Sequence, residues 1–125
     1  MIHYRHHEIT IHRKGEHAIP SHCPAMKVGD TAIYRSPDGE VQVKFLKFVA
    51  ATDDQPVSPT APFEGAIITS EGAVITGSAL QTVTTEGIFQ VRCFVKEPSE
   101  DVFKGWDETK SPHSGGHFPV NPNKP

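Results

Sequence analysis

The feature that most constrains this chain is its excess of β-branched side chains over good helix formers. Thirty of its 125 residues are valine, isoleucine or threonine, whereas leucine and methionine occur only twice each. β-Branched residues lose rotamer freedom in a helix and pack well on the pleated surface of a sheet. Glycine and proline together occupy 21 positions, enough to end many short strands in turns. The composition therefore predicts an all-β protein and argues against a helical bundle.

The length of the chain predicts a single domain over residues 1–125. A chain of this size buries enough apolar surface to fold without disulfides or metals. Two segments are expected to be rich in loops: residues 50–62, a proline-rich stretch without an apolar period, and residues 97–125, where the alternating pattern weakens.

Charge and hydropathy limit the classes of partner. The net charge of −3 and the pI near 6.2 provide no basic surface of the kind that binds nucleic acid. No apolar run approaches the roughly 18 residues of a membrane span, and the N-terminus lacks the apolar core of a secretory signal. These features predict a cytoplasmic protein that does not bind nucleic acid and has no membrane span. The alternative is a periplasmic or secreted protein whose leader is absent from this chain.

Alternating polar and apolar residues mark the strands. Ile9 and Ile11 share one face of an N-terminal strand, and residues 88–96 form a central strand with Cys93 on its inward face. The turn Ser36-Pro37-Asp38-Gly39 joins two alternating runs and predicts a hairpin of residues 31–35 and 41–45. Shorter strands are expected at residues 66–69, 73–76, 80–85 and, as a final edge strand, 117–120, with one helical turn at residues 99–103. Seven to nine short strands at this spacing predict an antiparallel two-sheet sandwich.

Five motifs in order carry a family resemblance. They are Lys27 to Tyr34, where Gly-Asp precedes a hydrophobic strand, then residues 39–45, Pro62-Phe63, the glycine–aromatic strand of residues 85–93, and residues 115–120. Together they resemble the cupredoxin-like β-sandwich family over about residues 26–121. The resemblance implies a Greek-key sandwich of the copper-free type.

The resemblance fails at the copper ligands. Copper-binding members use two histidines, a cysteine and often an axial methionine. Glu40 occupies the place of the first histidine, and the next histidine after Cys93 is the distant His113. Neither methionine follows Cys93. The resemblance therefore implies the fold without a blue-copper site.

Histidine is unusually frequent, with six of eight in the first 22 residues. Imidazole is a common ligand of zinc, nickel and copper. The candidate metal ligands are three N-terminal residues, His3, His6 and His7, and two residues that would join them if the termini meet, His113 and His117. Two interpretations stay open: a polar, partly exposed N-terminal strand, or a divalent metal site.

The sequence contains no catalytic motif. It has no Gly-x-Ser-x-Gly elbow and no glycine-rich phosphate loop. Cys93 has no histidine near it in sequence. Cys23 and Cys93 could pair across the fold, but the absence of an export signal favours two free thiols. The sequence therefore favours a non-catalytic module of binding or structural role, acting on an unidentified protein or small ligand and needing no cofactor. The alternative is a histidine-rich protein that binds a divalent metal ion.

Overall fold

The computed structural model describes residues 3–48, 58–106 and 115–122, and within these ranges the chain forms β-strands and no helix. The strands are β1 (His6–Lys14), β2 (His17–Pro20), β3 (Met26–Lys27), β4 (Thr31–Arg35), β5 (Glu40–Lys47), β6 (Ile67–Thr69), β7 (Gly72–Thr76), β8 (Gln81–Thr82), β9 (Gly87–Lys96), β10 (Lys104–Gly105) and β11 (Gly115–Asn121). The all-β prediction is thus confirmed for the described residues. Over the same ranges, no helix is long and apolar enough to cross a membrane.

The strands form two mixed sheets. The smaller sheet has the order β2-β1-β4-β8, and the larger has the order β3-β11-β9-β5-β7-β6, with β10 also paired to β9. The prediction of purely antiparallel strands is wrong, because β1 pairs with β4 and β11 pairs with β3 in parallel. Parallel neighbours need a crossover rather than a tight turn. The crossover from β1 to β4 runs through β2 and through β3, which belongs to the other sheet.

The predicted hairpin of β4 and β5 does not form, although both strands lie where the alternation places them. β4 pairs with β1 and β8 in the smaller sheet, whereas β5 pairs with β7 and β9 in the larger one. The turn from Ser36 to Gly39 instead carries the chain between the sheets. Gly39 is required there because a Cβ would lie only 2.1 Å from the Lys96 carbonyl oxygen.

The helical turn predicted at residues 99–103 is replaced by a hydrogen-bonded turn, and Val102 stays exposed. The cause is a long-range ion pair. Arg13 of β1, whose side chain is 4% exposed, binds both carboxylate oxygens of Glu100 at 2.6 and 2.9 Å. Glu100 also accepts a hydrogen bond from the backbone NH of Glu97. These bonds from Arg13 and Glu97 lower the pKa of Glu100 to about 2, so the carboxylate stays charged and holds the turn against β1.

β10 and β11 lie end to end along one edge of β9, while β5 occupies the other edge. The described part of the segment beyond residue 97 therefore contains two strands, and one of them covers the final strand predicted at residues 117–120. β11 is also not a pure edge strand, because Val120 and Asn121 pair with β3. Most of the predicted loop at residues 50–62 lies outside the described residues.

One hydrophobic cluster joins the inward faces of the two sheets, and it includes the predicted inward residues of β1 and β9. Phe45 lies at its centre. The Phe45 ring packs edge-to-face on three others, with centroid distances of 5.9 Å to Tyr34, 5.5 Å to Phe63 and 6.3 Å to Phe118. Tyr34 belongs to the smaller sheet and Phe118 to the larger. Phe45 therefore packs the two sheets together.

Replacing Phe45 by alanine should lower the free energy of unfolding by about 3–5 kcal/mol, because the substitution leaves a cavity among the rings of Tyr34, Phe63 and Phe118. Leu46→Ala is the matched control, since Leu46 is half-buried on the opposite face of the same strand. Leu46→Ala should lower the free energy of unfolding by less than half as much as Phe45→Ala. Urea unfolding followed by circular dichroism measures both, and equal losses would contradict the inward orientation of Phe45.

Candidate functional site

The five candidate metal-ligating histidines do not converge in the described part of the chain. His6 and His7 are consecutive residues of β1, so their side chains point to opposite faces. His6 is exposed and His7 is buried, while His3 is exposed ahead of the strand. His117 is exposed on β11 of the other sheet, and His113 lies outside the described residues. Among the described residues no three metal-ligating side chains group together.

His7 contacts a buried carboxylate that the sequence did not single out as a site. His7 Nε2 lies 2.9 Å from Oδ2 of Asp30, with the two side chains 9% and 2% exposed. Because an ionised carboxylate only accepts hydrogen bonds, Nε2 carries the hydrogen. The backbone NH groups of Arg5 and Lys27 also donate to Asp30, each at 3.0 Å. Three donors thus satisfy the buried charge.

Hydrogen bonding keeps Asp30 ionised despite its burial. Burial alone raises the pKa of the carboxyl group, but the hydrogen bonds from His7, Arg5 and Lys27 outweigh it and lower the pKa below its ordinary value. Asp30 lies in the crossover between β3 and β4, and its carbonyl accepts the NH of Val83 at 2.8 Å. The residue therefore fastens β1 and β3, which belong to different sheets, at one point.

The turn that presents Asp30 requires glycine. Gly29 has a φ of 100°, a conformation that other residues rarely adopt. The ring of Tyr4 also covers it, so that a Cβ would lie 2.2 Å from Tyr4 Cε1. Within the described ranges, no hydrogen bond joins His7 to a serine, threonine or cysteine. The His7–Asp30 pair therefore has the geometry of a structural contact, with no nucleophile for it to activate.

The positions that the cupredoxin resemblance assigns to copper have other partners. Glu40 pairs with Lys96 across β5 and β9, with 3.4 Å between Lys96 Nζ and Oε2. Cys93 is fully buried opposite Val43, as its strand phase predicts. Burial raises the pKa of the Cys93 thiol, which disfavours the thiolate that copper requires.

Both cysteines are free thiols, as expected from the sequence. Cys23 is half-buried, and its Sγ lies against Gly116, 2.7 Å from where a Cβ would stand. Burial raises the pKa of Cys23 as well. Neither thiol therefore has the electropositive, accessible surroundings of a reactive cysteine.

The outer face of the larger sheet carries three cation–aromatic contacts, which sequence analysis missed because they depend on strand register. They join Lys44 to Phe94 at 4.7 Å, Arg92 to Trp106 at 4.6 Å and Lys96 to Phe103 at 5.1 Å. Such contacts occur about once per 70–80 residues in proteins, so three on one face of a sheet are more than expected. In the sequence, Gln90, Arg92 and Lys96 alternate with the buried residues of β9 and so mark its outer face.

Two of these cations are direct cross-strand neighbours. Lys44 on β5 is paired with Arg92 on β9, an arrangement that destabilises a sheet unless an anion offsets it. Glu71, at the tip of the β6–β7 hairpin, accepts a hydrogen bond from Lys44. The hydrogen bond and charge of Lys44, with a smaller contribution from Arg92, lower the pKa of Glu71. This face therefore holds a carboxylate beside two cations.

A shallow cleft of about 410 Å³ opens at one end of the larger sheet. It is lined by Lys47, Glu86, Gly87, Ile88, Pro119, Val120, Asn121 and Pro122. Ligand pockets enclose most of a small molecule's surface, which a cleft this open cannot do. The outer sheet face is therefore the better candidate contact surface.

Comparison with protein-family models, with curated proteins and with solved structures gives no match to this chain. The contacts of the described residues are therefore the basis for assigning a role. They comprise a satisfied buried His–Asp pair, two shielded thiols and a sheet face of paired cations and rings.

Asp30→Asn is expected to lower the free energy of unfolding at pH 7 by about 1–3 kcal/mol, because the amide cannot satisfy three donors. The folded pKa of Asp30 lies below its unfolded value of about 3.9. The ionised Asp30 carboxylate therefore contributes its full stabilisation of the folded state above the unfolded pKa. This contribution is lost as the pH falls through the folded pKa. Urea unfolding from pH 7 to pH 3 should show a weaker acid dependence in Asp30→Asn. His6→Ala is the exposed control, and an unchanged dependence in Asp30→Asn would contradict the role of the carboxylate.

Thiol titration tests the state of the cysteines. Without reductant, two thiols should react in the denatured protein, whereas Cys93 should be protected in the native one. Cys93→Ser should cost about 1–3 kcal/mol of unfolding free energy, because it buries a hydroxyl group without a partner. A denatured protein with no reactive thiol would instead show a disulfide.

Proposed function

We propose that this protein is a non-catalytic β-module of binding or structural role, with a cupredoxin-like Greek-key sandwich and no blue-copper site. The state of Cys93 carries the proposal. A blue-copper centre needs a thiolate held between two imidazoles. Here the thiol faces the hydrophobic core, opposite Val43, and its raised pKa keeps it protonated. Glu40, at the place of the first histidine, is already paired with Lys96.

The packing of the two sheets supports the sandwich part of the proposal. Residues from both sheets contribute to one hydrophobic cluster, and the turn from Ser36 to Gly39 crosses from one sheet to the other. Aromatic side chains from each sheet meet at Phe45. Two layers packed through a shared apolar interior are the arrangement that a sandwich requires.

The outer face of the larger sheet is the contact surface that we assign to the module. Lys44 and Arg92 stand side by side there, with Phe94 and Trp106 against them. Adjacent cations with planar rings suit a compact anionic group on a partly apolar ligand, and its carboxylate would take the place of the exposed Glu71 carboxylate beside Lys44. The net charge of −3 works against long polyanions such as nucleic acid.

The alternative role is binding of a divalent metal ion through the histidines. Its support is the high number of histidines in the N-terminal part of the sequence. Metal analysis of the protein purified without an affinity tag separates the two roles. A stoichiometric metal that is lost on replacing His3 and His6 would favour the alternative. Metal well below one equivalent favours the module.

Addition of one equivalent of cupric ion to the reduced protein should give no intense thiolate-to-copper absorption band in the visible. The physical reason is that Cys93 is buried and protonated, with no described histidine beside it. Cys93→Ser is the control and should give the same spectrum. An intense band in the wild type that disappears in Cys93→Ser would overturn the proposal.

A further inference from the structure

The carboxylate of Glu71 occupies the position beside Lys44 where an anionic ligand would bind. Lys44 donates a hydrogen bond to Glu71, and its ammonium group also lies 4.7 Å from the ring centroid of Phe94. The side chain of Lys44 is only 16% exposed, whereas that of Glu71 is 69% exposed. A largely buried ammonium group is therefore paired with a carboxylate that reaches it from solvent.

The hairpin turn between β6 and β7 holds the backbone of Glu71 but not its side chain. Ser70 and Glu71 lie between the last residue of β6, Thr69, and the first residue of β7, Gly72. The Thr69 hydroxyl donates to the carbonyl of Gly72 at 2.8 Å and accepts the backbone NH of Glu71 at 3.2 Å. These bonds fix the turn without using the Glu71 carboxylate. The side chain can therefore leave Lys44 by rotating about its own bonds, with no change in the sheet.

The position beside Lys44 favours an anion whether or not a ligand is present. Lys44 stands directly opposite Arg92 on β9, and like charges placed opposite each other destabilise a sheet. The hydrogen bond from Lys44 lowers the pKa of Glu71, so the carboxylate is ionised at neutral pH and offsets the repulsion. An ion pair with one exposed partner contributes little to stability, because water solvates the carboxylate nearly as well. A ligand anion that also contacts the rings can therefore replace it.

We propose that Glu71 is a built-in competitor of the ligand for Lys44. Its carboxylate binds Lys44 when the outer face is empty, and the carboxylate of a ligand displaces it. Glu71 thereby lowers the affinity of the site for every carboxylate. It restricts binding to ligands whose apolar part adds contacts with Phe94 and Trp106, because a carboxylate alone gains nothing over Glu71. This inference rests on the proposed function, since it concerns the same face.

Titration of the full chain with 2-naphthoate, a carboxylate on an apolar planar ring, tests the proposal by nuclear magnetic resonance. The indole NH of Trp106 reports on this face, because the chain contains a single tryptophan and its ring lies against Arg92. Glu71→Gln should lower the dissociation constant by about threefold to tenfold, since the uncharged amide leaves Lys44 to the probe. Acetate, which has the carboxylate without the ring, should bind neither protein at the same concentrations.

Glu64→Gln is the matched control, because it removes the same charge from another exposed residue. It should change the dissociation constant by less than about twofold, since the carboxylate bonded to Lys44 is that of Glu71 and salt screens the charge of Glu64. Circular dichroism of each variant establishes that it is folded.

A double substitution tests whether Glu71 acts through Lys44. Lys44→Gln should raise the dissociation constant at least about fivefold, because it removes a hydrogen-bonded charge from the site. In that background Glu71→Gln should give no further gain, because the competitor has lost its partner. A change in the shape of the hairpin turn would instead act in both backgrounds.

The outcomes distinguish this inference from the proposed function. Suppose that the wild type binds 2-naphthoate. A gain from Glu71→Gln that is absent, equalled by Glu64→Gln or retained without Lys44 would then overturn the competitor and leave the contact surface in place. Acetate binding as tight as that of 2-naphthoate would do the same. Binding by neither the wild type nor Glu71→Gln up to about 10 mM would overturn the contact surface and the competitor together.

Discussion

A single buried carboxylate holds the crossover between the two sheets. Asp30 accepts hydrogen bonds from His7 of β1, from the backbone of Arg5 just before it, and from the backbone of Lys27 in β3. β1 and β3 lie in different sheets, so the charge fixes their relative position at one point. Removing one partner of a buried ion pair strongly lowers the free energy of unfolding, because the other charge is left buried and unpaired. Replacing the whole pair by apolar residues of similar size has a much smaller effect. The parallel pairing of β1 with β4 begins at this crossover, since the NH of Thr31 binds the carbonyl of Arg5.

The alternation of polar and apolar residues was enough to predict which face of a strand is buried. It could not predict which strands pair with each other. The inward faces of β1 and β9, and the strand over residues 31–35, follow from a period of two that each strand carries in its own sequence. The hairpin failed because pairing depends on which edges other strands occupy. The bond from Arg13 to Glu100 likewise spans 87 positions and displaced a local helical preference. The sequence places Gly29-Asp30 directly before a hydrophobic strand, but nothing local marks Asp30 as buried.

Alternation also bears on the histidines. Consecutive residues of a strand point to opposite faces, so His6 and His7 have different partners. His6 is hydrogen-bonded to the Thr31 hydroxyl at the surface, and His7 is hydrogen-bonded to the buried Asp30. A cluster in sequence is therefore not a cluster in space when it lies on a strand. The larger sheet carries the surface that we connect with binding, because its outer face presents cations and rings.

The central claim is that Asp30 is an ionised carboxylate held inside the folded protein by three donors. The most direct measurement is a pH titration of its side-chain carboxyl carbon by nuclear magnetic resonance in the native state. We expect a midpoint below the ordinary aspartate value of about 3.9, with the amide protons of Arg5 and Lys27 shifting at the same midpoint. A midpoint at or above the ordinary value, with those amides unaffected, would contradict it.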